Sequence, residues 1–64
     1  MFYKVTDFAN KIGVSPSTLR NWETEGILKP HHRTPTGYRI YSEEQLLLVL
    51  AGNIEMANKV SKEN

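Results

Sequence analysis

The sequence predicts a mainly helical domain with one small β-hairpin, and three observations predict it. Two helix signals follow one another across a glycine, in VTDFANKIG and VSPSTLRNWETEG. The stretch ILKPHHRTPTGYRIY places proline and glycine between two short extended candidates. A serine then opens a third helix with glutamine three residues on, in SEEQLLLVLAGN.

In the first helix Thr6 is read as the N-cap, and Asp7 suits the first turn. Phe8, Ala9 and Ile12 share a face, and Gly13 ends the helix. In the second, Ser15 is the N-cap, Pro16 sits where its missing N–H costs nothing, and Gly26 is the stop. Residues 28–33 and 38–41 form the hairpin, turned by Pro35 and Gly37, with Tyr38, Ile40 and Tyr41 fastening the return strand. In the third helix Ser42 and Gln45 have capping-box spacing, and Glu43 and Glu44 favour the positive end of the helix dipole. Leu46 and Leu50 fall on one side and close the core. Leu47, Ala51 and Ile54 fall on another, which needs a missing domain, a second copy, or NIEMANKV folding back. The folded unit is read as residues 1–52, and residues 53–64 as a C-terminal tail or the start of a linker to a further domain.

Composition narrows the function classes. At 64 residues the chain is one small domain at most, and its core is too small to enclose an enzyme pocket. Without cysteine there is neither a disulfide nor a thiolate metal site. MFYKVTDF lacks a basic segment followed by an apolar run, and LLLVLA is too short to span a bilayer, so the chain is read as cytoplasmic with no membrane partner. The formal net charge of +1 conceals a local excess: residues 26–41 carry Lys29, Arg33 and Arg39 and no acid. In residues 1–25 the charges cancel, and residues 42–64 are net acidic. A basic strip on a balanced surface is the footprint of a polyanion-binding face.

Ala9 lies four residues before Gly13, among apolar Phe8, Ile12, Val14, Leu19 and Trp22. This is the spacing of a helix-turn-helix, in which a small residue lets two helices approach and glycine makes the turn. Helical phase turns Leu19 and Trp22 inward, Trp22 with its polar edge near the surface, and turns Ser17, Arg20, Asn21 and Thr24 outward. Arginine grips phosphate or reads guanine, asparagine reads adenine, and short hydroxyls permit close approach to the major groove. The plain alternative is a solvated helix face. On the hairpin, Arg33 and Arg39 are read as facing phosphates, with His31 and His32 beside them. Two adjacent histidines without a cysteine or paired carboxylates make no metal site, and no metal or other cofactor is expected. No nucleophile is placed with a base, so this chain alone is read as non-enzymatic.

With these elements in order, VTDFANKIGVSPSTLRNWETEGILKP followed by RTPTGYRIYSEEQL resembles the DNA-binding head of the MerR family, a winged helix-turn-helix, over about residues 3 to 50. The resemblance rests on GVSPSTLRNWE, EGILKP and GYRIY occurring in sequence. It implies a partner, double-stranded DNA, with the second helix in the major groove and the hairpin, or wing, along the backbone. The candidate contacts at the second helix are Ser15, Ser17, Thr18, Arg20, Asn21 and Thr24. Those approaching and along the wing are Lys29, His32, Arg33, Thr36, Tyr38 and Arg39. One departure matters: many MerR regulators carry two tyrosines after the helix arginine, where this chain has Asn21 and Trp22.

That departure, together with WE and RTPTG, is also similar to the MerR-like head of transposon-encoded serine recombinases. The regions that follow the head in either family exceed the remaining residues, so the chain is read as a piece of a longer protein or a small stand-alone binder. The reading adopted is sequence-specific double-stranded DNA binding, as in a MerR-like transcriptional regulator. The alternatives are the head of a recombinase, or a winged helix whose basic wing holds an acidic protein. One helix and one wing offer few phosphate contacts, so the full-length parent is expected to be a homo-oligomer and this chain alone mainly monomeric.

Overall fold

A computed structural model describes residues 1–61. The elements are β1 (Phe2–Lys4), α1 (Val5–Ile12), α2 (Pro16–Thr24), β2 (His32–Arg33), β3 (Arg39–Ser42), α3 (Glu43–Leu50) and α4 (Ile54–Lys59). The strands form one antiparallel sheet in the order β1-β3-β2. The helices therefore dominate, as the sequence indicates, but the hairpin carries a third strand that it did not.

β1 places Phe2 opposite Ser42 and Lys4 opposite Ile40. This pairing holds the chain extended up to Lys4, which becomes the N-cap of α1 and displaces Thr6 from that role. Thr6 lies instead in the exposed first turn. At the other end Gly13 enters the left-handed region at φ +81°, and the N–H groups of Gly13 and Val14 both donate to the Ala9 carbonyl, at 2.9 and 3.0 Å. Ala9 is fully buried, so its small side chain lets α2 approach at the turn.

α2 begins as its sequence requires. The Ser15 hydroxyl accepts the Thr18 N–H at 3.2 Å, and Pro16 follows as the first helical residue. Gly26, at φ +76°, ends it: Gly26 donates to the Glu23 carbonyl and Ile27 to the Trp22 carbonyl, a Schellman closure.

The first hairpin strand is shorter than the expected 28–33, because residues 28–30 are committed elsewhere. Leu28 donates to Trp22, Lys29 donates to the Asn58 side chain, and Pro30 has no N–H for a ladder. Leu28 and Pro30 are buried under this loop. The turn is the expected one, with the Gly37 N–H on the Thr34 carbonyl at 2.8 Å. Tyr41 packs into the core and Ile40 is half-buried; Tyr38 precedes β3 with its side chain 67 % exposed, and it fastens the hairpin through its backbone alone, which bonds to Thr34 in both directions.

The core gathers Phe8, Ala9, Leu19, Leu28, Tyr41, Leu46 and Ala57, with Trp22 half-buried against it. Tyr41 stacks on Phe8 at a ring separation of 4.4 Å. Ser42 and Gln45 form the predicted capping box. Gln45 is also fully buried, donating through Nε2 to the carbonyls of Lys29 and Ala57 at 2.9 and 3.2 Å. Leu46 reaches the core, whereas Leu50 is 59 % exposed because α3 ends there and the Ala51–Gly52 turn redirects the chain. Residues 54–59 of the segment read as tail or linker form α4, which folds back on α3 and buries Ala57. The last part of that segment, residues 62–64, lies outside the described residues.

Candidate nucleic-acid interface

The outer face of α2 is built by helical phase. Leu19 is pinned in the core, and this orientation leaves Ser17, Arg20, Asn21 and Thr24 exposed. Thr24 bonds back to the Arg20 carbonyl at 3.2 Å. The two remaining hydroxyls serve the helix start: Ser15 caps it, and its Oγ lies 3.0 Å from the Thr18 hydroxyl.

The wing is fastened to α2 by one carboxylate. Glu23 pairs through Oε2 with Arg33 Nη2 and through Oε1 with Arg39 Nε. In the sequence Glu23 counts against the cations of residues 1–25, and the wing counts as free of acid. In space Glu23 belongs to the wing, so part of the expected cationic excess is already balanced. Its side chain is 13 % exposed, against 36 % for Arg33 and 27 % for Arg39, so the bridge is sheltered at the acid and open at the arginines. Arg33 also reaches the Gly37 carbonyl at the tip. Thr36 and Tyr38 are exposed at that tip, and Thr36 shares a 3.0 Å hydroxyl contact with Thr34.

Arg20, Tyr38 and Arg39 line one open cleft, of about 500 Å³, together with Lys4, Val5, Thr6 and Gly37. Lys4 and Thr6 were missed by sequence reasoning because the strand that carries Lys4 there was not foreseen. Of the twelve candidates Arg20, Tyr38 and Arg39 line this cleft and nine do not, and two of those nine are engaged elsewhere. Lys29 is half-buried with its backbone held by Asn58 and Gln45. His32 packs edge-on to Phe2 at 5.3 Å, and its Nδ1 lies 2.8 Å from that of His31. Among the described residues no three of His, Cys, Asp and Glu are grouped to hold a metal, and no helix is long and apolar enough to cross a membrane.

Two helices crossing at a glycine turn, the outer helix exposed and polar beside a β-hairpin, define a winged helix-turn-helix domain. The family model described as MerR family regulatory protein matches residues 4–41, more than half of the chain. The chain belongs to the MerR family. It is 36 % identical over 44 residues to the mercuric resistance operon regulatory protein of Bacillus cereus, covering 69 % of this chain and 33 % of that protein. It is 36 % identical over 45 residues to the uncharacterized HTH-type transcriptional regulator slr0701 of Synechocystis sp., covering 70 % of this chain and 33 % of that one. A 44-residue match at 39 % identity to the type II methyltransferase M.Eco47II of Escherichia coli covers 69 % of this chain and 11 % of the enzyme. The chain thus spans a third or less of these relatives. Among solved structures it is similar to HiNmlR, a MerR family regulator lacking the sensor domain and bound to promoter DNA. The TM-score is 0.67 at 27 % identity, over 97 % of this chain and 56 % of that one.

Proposed function

We propose that this chain is a sequence-specific double-stranded DNA-binding head of a MerR-like transcriptional regulator, without catalytic activity of its own. In this reading α2 enters the major groove and the wing lies along the adjacent backbone. The observation that carries it is the outer face of α2: Ser17, Arg20, Asn21 and Thr24 are all exposed and are held beside a cationic wing by Glu23. The promoter DNA in the HiNmlR structure supports the same partner here. Arg20 and Asn21 are assigned base reading, and Arg33 and Arg39 backbone contact. The parent protein acts as a homo-oligomer in the cytoplasm, because one small head presents too few contacts for tight binding by itself.

The test is affinity for duplex DNA as a function of salt, with a single strand of the same sequence alongside. The expected result is preference for the duplex and a log–log decline with salt, whose slope counts the phosphates engaged. Equal affinity for both strand forms, or salt-independent binding, would refute the proposal.

A further inference from the structure

The cleft of about 500 Å³ joins parts of the chain that the helix-and-wing description treats separately. Lys4 comes from the end of β1, Thr6 from the first turn of α1, Arg20 from α2, and Tyr38 and Arg39 from the wing. Three cations, a phenol and a threonine therefore face one opening, and no acidic residue lines it among the described residues. Glu23 is bonded to the Nε edge of Arg39 and is itself absent from the lining. The arrangement depends on the register of the sheet. Lys4 sits opposite Ile40, one residue beyond Arg39, so β1 brings Lys4 into the same lining as Arg20 and Arg39.

We propose that this cleft seats a backbone phosphodiester of the bound duplex, with Lys4 as a phosphate contact contributed from outside both the recognition helix and the wing. Convergence of cations from three elements on one opening matches a single anionic group approached from several directions. Arg20 lines the cleft from the face of α2 that also carries Asn21. Lys4, which lies outside the recognition helix, is assigned grip without sequence information. The proposal rests on the duplex-binding reading above.

Lys4 is exposed, so Lys4→Gln is expected to melt with the parent chain. On a short mixed-sequence duplex the variant should bind more weakly, and the log–log salt slope should fall by about 0.9, the value for one lost phosphate contact. The affinity gap between parent and variant should accordingly shrink about threefold between about 50 and about 200 mM salt. Lys4→Arg should restore the slope. Lys11→Gln removes the same charge from a lysine outside the cleft, over the Tyr3 ring, and should leave the slope unchanged. A parent chain that binds duplex while Lys4→Gln keeps its full slope overturns the cleft and leaves the duplex reading standing. A slope reduced equally by Lys11→Gln also overturns it, because net charge alone then explains the loss. Inorganic phosphate titrated onto the free chain separates a small-anion site from a backbone contact. Saturable binding lost in Lys4→Gln, with duplex affinity intact, overturns the proposal. A parent chain with no duplex affinity at all overturns both readings.

Discussion

Replacing Glu23 by glutamine keeps the shape of the side chain and removes the charge that ties the wing to α2. Glu23 meets Arg33 and Arg39 through separate carboxylate oxygens, so glutamine retains one acceptor and turns the other into a donor facing a guanidinium. The Arg33 pair is 36 % exposed on its cationic side and is worth at most about 1 kcal/mol, as at an open surface. The Arg39 pair, at 27 % and 13 % exposure, is better sheltered and nearer the value of about 1.5 kcal/mol for a charge-assisted hydrogen bond. Allowing for the acceptor that remains, Glu23→Gln is expected to destabilise the domain by about 1 to 1.5 kcal/mol. For a chain of this length that is a fall in Tm of roughly 7 to 11 °C. Urea unfolding of Glu23→Gln, Arg39→Gln and the double variant gives the coupling directly, and it should exceed about 0.5 kcal/mol. Additive losses, or a loss from Glu23→Gln below about 0.3 kcal/mol, would show that the wing is not held to α2 by this carboxylate.

Two further substitutions test the frame that carries the interface. Gln45→Leu strands the Ser42 N–H and the carbonyls of Lys29 and Ala57, and should cost about 3 kcal/mol, a large share of what a small domain has. A shift in the urea midpoint worth less than about 1 kcal/mol would mean those groups find other partners. Gly13→Ala meets no atom within 4 Å, so its expected cost of about 1 to 2 kcal/mol comes from the φ of +81° alone, and unchanged thermal stability would contradict that.

What was legible in the sequence was local. Gly13, the Ser15–Pro16 pair, Gly26 and the Ser42–Gln45 box each declare themselves through neighbours within four residues, and the structure uses every one of them. The outward face of α2 was legible for the same reason, since helical phase needs nothing outside the helix. β1 was not, because three residues carry no periodicity and their partners lie 36 to 40 positions away. That omission displaced the start of α1 from Lys4 to Thr6 and hid Lys4 from the interface. Gln45 was legible as a cap but not as a fully buried hub, because the carbonyls it bonds belong to a loop and to α4. Glu23 is the instructive case: counting charge by segment set it against Lys4, Lys11 and Arg20, whereas folding brings it to Arg33 and Arg39, 10 and 16 residues on.

The central claim is that the exposed face of α2 reads base edges, and Asn21 tests it most directly. A duplex enriched by this chain from a randomised pool, and the same duplex scrambled, would be titrated against the parent chain, Asn21→Ala and Arg39→Ala. Asn21→Ala is expected to reduce discrimination between the two duplexes by about 1 to 3 kcal/mol, while Arg39→Ala weakens both to a similar degree. Discrimination that survives Asn21→Ala intact and vanishes with Arg39→Ala would contradict the account.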